Sequence, residues 1–173
     1  MLDRGNPAAK VFFLGEAPGA QEDLQGRSFV GRSGKLLDAI LRSIGLDPEK
    51  DVFIASVLKC RPPKNRLPKR EEVAACAPHL AEQFALVDPA VVVPLGATAF
   101  SRLMPNGDFA ATVGKFVDVT LAGRSVPAFP IYHPAYLLYS PKKKTDMRAH
   151  VATLKQFLTD KKLLDPSRAC PDF

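Results

Sequence analysis

The chain has 173 residues and a mass of 18.8 kDa, a length typical of a single domain with its own hydrophobic core. Apolar residues make up 46% and charged residues 24%, as is ordinary for a soluble globular protein. The sequence contains no run of about 18 apolar residues, the pattern that predicts a membrane span. It also shows no basic segment followed by an apolar stretch, the pattern that predicts a signal peptide. The odd number of cysteines, three, argues against a disulfide scaffold and favours a reducing, cytoplasmic compartment.

The net charge of +6 is concentrated in one short stretch. Residues 59–70, with the sequence KCRPPKNRLPKR, hold six basic and no acidic side chains, which equals the whole net charge. Three prolines in this stretch predict a stiff, extended loop, called the basic loop below. A basic run of this kind is most often a solvated loop, and it also suits a polyanionic partner.

Four short apolar runs predict buried parallel strands, because their hydrophobic residues are continuous and do not alternate. Helical patterns separate them, so the sequence predicts an α/β fold with a mainly parallel sheet in a single domain spanning 1–173. The predicted elements in chain order are a strand at 11–14, a helix at 33–44, a strand at 52–58, a helix at 70–87 with Pro78 as a kink or restart, a strand at 91–95, a helix at 97–104, an edge hairpin formed by 116–121 and 125–129, a strand at 128–132, a helix at 146–164 and a loose tail at 165–173.

The first predicted strand is followed by a glycine-rich loop, GEAPGAQEDLQGRSFVGRSGKLL, at residues 15–37. Ligands of open parallel sheets bind at the carboxyl ends of the strands, so this loop is expected to form part of a site. It lacks both GxxxxGK[ST] and GxGxxG, which argues against nucleoside triphosphate or dinucleotide binding. Glu16 and Glu22 are either catalytic acids or solvated, capping carboxylates. Phe29 is an aromatic that could offer its face to a planar ligand.

The last predicted strand ends at His133, at the same edge of the sheet as Glu16. An isolated histidine is more often structural than functional, but this position makes it a candidate for the site. Residues 136–138 lie close to the lysines at 142–144, so they either wedge into a base stack or pack under the final helix. Cys60 and Cys76, which have fifteen residues between them, are weak support for a metal because a tetrahedral site needs four ligands.

Taken together, these motifs resemble the family 4 uracil-DNA glycosylases from about residue 6 to about residue 164. The resemblance rests on GEAPGAQEDLQGRSFVG, KCRPPKNR followed by Cys76, LGATA at 95–99 and HPAYLL at 133–138. It implies a three-layer α/β/α sandwich around a four-stranded parallel sheet. It also implies a monomer without a nucleotide cofactor or a membrane partner, which hydrolyses the N-glycosidic bond of a deoxyuridine flipped out of DNA in base excision repair.

The resemblance also implies roles for individual residues. His133 would hydrogen-bond uracil O2 as negative charge develops there, a role worth about 3 kcal/mol. Glu16 would orient water or stabilise the sugar cation, and Glu22 is a further acidic position of the same motif. Phe29 would stack on the flipped uracil. The other expected contacts are Gly15, Ala17 and Ser56 with the base, Lys59, Arg61, Lys64, Arg66, Lys142 and Lys143 with DNA, and Leu137 or Leu138 as the residue that fills the gap in the base stack.

Two departures from the family pattern affect these expectations. Ser56 stands where the family carries Asn, and a hydroxyl cannot make the paired contact of an amide, so discrimination would relax by about 1–3 kcal/mol. Cys60 and Cys76 match two ligands of a [4Fe–4S] cluster, whereas the preceding Cys-x2-Cys is absent, so the expected cluster is incomplete in this chain. Either a preceding part is missing from this sequence or this branch dispenses with the cluster. The alternative to an enzyme is a degenerate DNA-binding module with weak or altered base specificity.

Overall fold

A six-stranded sheet forms the centre of the computed structural model, which describes residues 3–173. The four central strands are parallel, and one antiparallel strand pairs at each edge. The order across the sheet is β1-β3-β2-β4-β6-β5. The predicted four-stranded parallel sheet is therefore confirmed as the middle of a larger mixed sheet. The strands are β1 (Arg4–Gly5), β2 (Val11–Gly15), β3 (Val52–Ser56), β4 (Val91–Pro94), β5 (Val117–Leu121) and β6 (Arg124–Ala128).

Helices cover both faces of the sheet and produce two hydrophobic clusters. In β2, Val11 and Phe13 belong to one cluster, whereas Phe12 and Leu14 belong to the other, as expected for a strand buried on both faces. The first cluster includes residues of α2, α6 and α7, and the second includes residues of α3 and α4. The helices are α1 (Ala20–Gln25), α2 (Arg32–Ser43), α3 (Arg70–Val87), α4 (Gly96–Leu103), α5 (Phe109–Thr112), α6 (Pro134–Tyr139) and α7 (Lys144–Asp160), with 3-10 turns at Pro63–Asn65 and Pro141–Lys143.

The last parallel strand lies earlier in the chain than predicted. β6 ends at Ala128, and the same strand forms the edge hairpin with β5 around a turn at Ala122 and Gly123. The predicted strand bounds of 128–132 are therefore wrong. Beyond β6, hydrogen bonds from the N–H groups of Phe129 and Ile131 still reach β4. Pro130 lies between these two residues and has no N–H group, which interrupts the regular ladder.

The helix predicted at 70–87 matches α3, which continues through the exposed Pro78 without a break. The final helix, α7, begins at Lys144 and ends at Asp160, so both of its ends lie earlier in the chain than the predicted 146–164. The segment 165–173, expected to be loose, contacts the folded domain. Arg148 of α7 pairs with Asp172 at 3.0 Å, and Arg168 pairs with Asp51. Within 3–173, no helix is both long and apolar enough to cross a membrane.

Candidate active site

A cleft of about 250 Å³ opens at the carboxyl ends of β2 and β3, where the loop between β6 and α6 also arrives. This is the sheet edge at which the sequence predicts a site. Many of the residues expected to bind a base line it, together with residues that sequence reasoning did not single out, such as Ser33, Pro62 and Asn65. The full lining is Glu16, Ala17, Pro18, Gly19, Glu22, Phe29, Ser33, Ser56, Pro62, Asn65, Arg66, His133 and Ala135.

His133 caps the N-terminus of α6, and the hydrogen bond of this cap determines which ring nitrogen carries the proton. Its Nδ1 accepts a hydrogen bond from the N–H of Ala135 at 3.1 Å. In a neutral imidazole the remaining proton then lies on Nε2. Burial lowers the pKa of His133 to about 4, and the charge of Glu22 opposes this shift only in part. The cleft therefore contains a neutral histidine that can donate one hydrogen bond through Nε2.

Phe29 forms the cleft wall beside this imidazole. The two ring centroids are 5.9 Å apart, with the planes 33° from each other. The backbone of Phe29 is left-handed, with φ of 53°, which is uncommon for a bulky residue. Its carbonyl accepts a 2.7 Å hydrogen bond from Arg4, which helps to hold this conformation. A Cβ at Gly15 would lie 2.5 Å from the Phe29 ring, so glycine at this position lets the ring cross the end of β2.

The two carboxylates of the glycine-rich loop differ in their partners. Glu22 is buried, and its Oε1 accepts hydrogen bonds from the N–H groups of Val30 at 2.9 Å and Gly31 at 2.7 Å. Gly31 is the N-cap of α2, so Glu22 ties α1 to the start of that helix. Within 3–173 the Glu16 carboxylate has no hydrogen bond or ion pair, and this residue lines the cleft. Of the two acids, Glu16 is the one available to a ligand.

Ser56 is the last residue of β3 and is only 2% exposed. It lines the cleft, and its Oγ would lie 3.6 Å from a Cβ at Gly15. The structure thus brings together Ser56, Phe29 and His133, which come from three distant parts of the chain. Ala17 lies in the same lining, whereas Gly15, also expected to contact the base, is not part of the lining and lies against the Phe29 ring.

Acidic partners neutralise much of the basic loop. Arg66 forms two hydrogen bonds with Glu72, at 2.9 and 2.6 Å. The Arg66 hydrogen bond, assisted by one from the N–H of Lys69, lowers the pKa of Glu72 to about 2. Arg61 bonds Asn65 at 2.7 Å and lies 3.9 Å from Asp23. These contacts hold the loop against the cleft, to which it contributes Pro62, Asn65 and Arg66.

Lys59 was expected to contact DNA, and the structure places it inside the protein instead. Its ammonium group lies 3.0 Å from the Asp3 carboxylate and 2.7 Å from Gln83 Oε1, with the side chain 14% exposed. It also donates to the carbonyl of Ser56 at 2.9 Å. Its charge is therefore directed into a mostly buried ion pair and away from any phosphate.

Sequence reasoning also missed Arg4, a buried residue that holds the Phe29 loop. Besides bonding the Phe29 carbonyl, its guanidinium pairs with Asp38 and with Glu49. The acidic partners of Arg4 and Lys59 lie tens of residues away in the chain, so no local pattern indicates these ion pairs. Folding of the sheet brings Arg4 beside the loop that carries Phe29, and Asp3 beside Lys59 at the start of the basic loop.

The segment after His133 differs from the expected DNA wedge. Leu137 is 2% exposed and packs in the first hydrophobic cluster, so it cannot enter a base stack while α6 is folded. Leu138 is half-buried. Lys142 is exposed, whereas Lys143 pairs with Asp146 at 2.8 Å, which raises the pKa of Lys143.

Cys60 and Cys76 line a second cavity of about 220 Å³, between the basic loop and α3. Cys60 is exposed, and Cys76 lies 3.5 Å from the N–H of Lys59. Among residues 3–173, no group of three or more histidine, cysteine or acidic side chains is placed to hold a metal. A [4Fe–4S] cluster needs four thiolates. The described part of the chain supplies two of them and does not complete such a site.

Comparison with known proteins assigns the chain to a family. The model of the uracil DNA glycosylase superfamily matches residues 2–155. A type-4 uracil-DNA glycosylase of Saccharolobus solfataricus is 39% identical over 163 residues, which cover 91% of this chain and 75% of that protein. One from Archaeoglobus fulgidus is 45% identical over 147 residues, or 82% and 73% of the two chains. A type-5 enzyme of Pyrobaculum aerophilum is 32% identical over 168 residues, or 89% and 71%. In agreement with the resemblance seen in its motifs, the chain belongs to the type-4 uracil-DNA glycosylase family.

Proposed function

We propose that this chain is a monofunctional uracil-DNA glycosylase, which hydrolyses the N-glycosidic bond of a deoxyuridine flipped out of DNA. The observation that carries the proposal is the neutral His133 facing the Phe29 ring in a cleft at the carboxyl edge of the sheet. The names of the type-4 relatives support the same activity. They favour an enzyme over a module that only binds DNA.

In this proposal the cleft binds the extruded base. Extrusion costs a few kcal/mol of lost pairing and stacking, and stacking on an aromatic ring returns about 1–3 kcal/mol. Phe29 provides that ring. The backbone at Glu16 and Ala17, together with the Ser56 hydroxyl, would contact the polar edge of the base.

The reaction breaks the bond between C1′ of the sugar and N1 of uracil. The bonding electrons leave with the base, so negative charge develops on uracil and positive charge on the sugar. His133 would donate its Nε2 proton in a hydrogen bond to uracil O2 and stabilise that negative charge. Because the imidazole is already neutral, it acts as a fixed donor and keeps its proton.

Glu16 would act on the sugar side of the broken bond. Its carboxylate can stabilise the sugar cation and orient the water that adds to C1′, accepting a proton from that water as the new bond forms. Glu22 would act as a positioning residue, because its carboxylate already accepts two backbone N–H groups. The phosphate contacts would come from side chains of the basic loop such as Lys64 and from Lys142.

Iron–sulfur chemistry does not enter this mechanism. A [4Fe–4S] cluster on Cys60 and Cys76 would need two further thiolates beyond those at the second cavity, and its role there would be to hold the basic loop. Anaerobic incubation with iron and sulfide, followed by measurement of visible absorbance and bound iron, tests this directly. Four irons per chain would support a cluster, and colourless, iron-free protein would count against one.

The test of the proposed function uses an end-labelled oligonucleotide with a single uracil, treated with alkali after incubation to cut abasic sites. Wild type should generate the cut product. His133→Ala should reduce the single-turnover rate by about 100-fold or more, the effect of losing one oxyanion donor, while DNA binding persists. His79→Ala is the matched control, because His79 is exposed on α3, and it should behave as wild type. Binding without any abasic product in wild type would reject the enzyme and leave the binding module.

A further inference from the structure

Helix α6 carries two exposed tyrosines on the segment that begins at His133. Tyr139 is 83% exposed and Tyr136 is 44% exposed. They are three residues apart, so both rings lie along one face of the helix. Leu137, which lies between them in sequence, faces the core and is 2% exposed. The exposed side chains of α6 therefore include two tyrosines, whereas Leu137, which was expected to fill the gap in the base stack, is buried.

The fold gives no reason for the exposure of Tyr139. Within 3–173, its side chain has no hydrogen bond, ring contact or ion pair, whereas the Tyr136 ring lies 5.5 Å from that of Tyr132. Among the described residues, five large hydrophobic side chains are exposed. Tyr136 and Tyr139 are the two aromatic residues in this group, and the other three are leucines. An aromatic side chain exposed on the helix that follows His133 is suited to a planar ligand.

Position and charge indicate what that ligand is. Tyr139 lies six residues beyond His133, about 9 Å along a helix axis. Lys142 is exposed just beyond Tyr139 and is suited to a phosphate. A nucleotide whose base is bound at His133 stays linked to its neighbours through the backbone, so the bases that border the gap would lie within reach of Tyr139.

We propose that Tyr139 stacks on the bases that border the gap left by the flipped nucleotide, in place of Leu137. This inference rests on the proposed function and adds the residue that keeps the duplex open. A tyrosine ring suits the role because every base presents a π-face, so stacking does not depend on the neighbouring sequence. The gap arises only in a duplex, and the contribution of Tyr139 should therefore be largest there.

The test compares uracil excision from a duplex with excision from the same uracil-containing single strand, using Tyr139→Ala and Tyr139→Phe. Tyr139→Ala should lower the single-turnover rate on duplex about tenfold, as expected for one lost stacking contact, and by less than about twofold on the single strand. Tyr139→Phe keeps the ring and should stay close to wild type on both. Leu86→Ala is the matched control, because Leu86 is 76% exposed near the C-terminal end of α3, and it should change neither rate.

A second readout does not depend on excision. 2-Aminopurine placed beside the uracil becomes brighter when the uracil flips, and an aromatic ring that stacks on it in place of the uracil quenches it again. Tyr139→Ala should therefore alter that signal at saturating protein, whereas Tyr139→Phe should leave it as in wild type. Equal duplex rates and equal fluorescence for Tyr139→Ala and wild type would overturn the inference. So would a duplex-specific loss in Leu138→Ala but not in Tyr139→Ala, or an equal loss on both substrates with a lower melting temperature. If wild type excises uracil from neither substrate, the proposed function fails, and the fluorescence comparison still decides the role of Tyr139.

Discussion

At the scale of single residues, the protonation of His133 links the site to stability. Its pKa is about 4 in the folded protein, lowered by burial, against about 6.5 in an unfolded chain. Between these values the unfolded state binds a proton that the folded state does not, so stability falls as pH falls. The contribution is present above about pH 6.5. It is lost progressively toward pH 4, and amounts to about 3 kcal/mol over this window.

His133→Asn isolates this contribution. Asn retains a side-chain acceptor for the N-terminus of α6 and does not titrate. Chemical unfolding at about pH 7 and about pH 4 should show wild type losing about 3 kcal/mol more of its free energy of unfolding than the variant. Taking the difference cancels the other titrating groups. Parallel losses in the two proteins would show that the imidazole is not held neutral by the fold.

Ser56 lines the cleft at the position where the resemblance implies Asn. Ser56→Asn should raise kcat/KM for uracil excision by about tenfold, because an amide can donate and accept at the base edge together, a pairing worth about 1–3 kcal/mol. The matched control is Ser33→Asn, the same change at another serine of the cleft lining. It should give no gain. Absence of a gain in Ser56→Asn, with an unchanged melting temperature, would show that the hydroxyl already satisfies uracil.

At the scale of elements, Glu72 joins the basic loop to α3. Its carboxylate accepts from Arg66 and from the N–H of Lys69, so Glu72→Gln should loosen the loop. Trypsin should then cut the loop several times faster than in wild type. Glu71→Gln, at the neighbouring position, should have no such effect because within 3–173 Glu71 has no ion pair. The Arg66 hydrogen bond lowers the pKa of Glu72 to about 2 from its ordinary 4.5, so the link between the basic loop and α3 should persist above about pH 4.5 and weaken only as pH falls toward 2. Equal cleavage of Glu72→Gln and wild type would contradict this link.

The elements that could be predicted from the sequence are those defined by local patterns. Continuous apolar runs predict β2, β3 and β4, and the helical pattern of 70–87 predicts α3 with its observed bounds. The loops after the strands then predict the cleft. The outward face of α6 could not be predicted in this way, because the burial of Leu137 depends on the helices packed beside it. The ion-pair partners of Arg4 and Lys59 could not be predicted either, because residues that pair across long stretches of chain produce no periodic pattern in the sequence.

At the scale of the whole molecule, the net charge of +6 does not translate directly into six phosphate contacts. Lys59 lies in a mostly buried ion pair, and Arg66 is bonded to Glu72. Lys64 and Lys142 have no ion pair within 3–173. The sequence located the charge correctly in the basic loop, whereas the structure separates side chains that stabilise the fold from those left to meet a polyanion.

This separation predicts two distinct responses to the loss of a lysine. Each phosphate contact adds about 0.9 to the slope of log affinity against log salt for duplex DNA. Lys64→Ala and Lys142→Ala should therefore each reduce that slope by about 0.9, with little change in melting temperature. Lys59→Met should leave the slope unchanged and destabilise the fold by about 3 kcal/mol, because the Asp3 carboxylate, 6% exposed, loses its ammonium partner. Fluorescence anisotropy with a uracil-free duplex at several salt concentrations, paired with thermal unfolding, measures both quantities. A slope that falls in Lys59→Met as much as in Lys142→Ala would show that Lys59 reaches DNA after all.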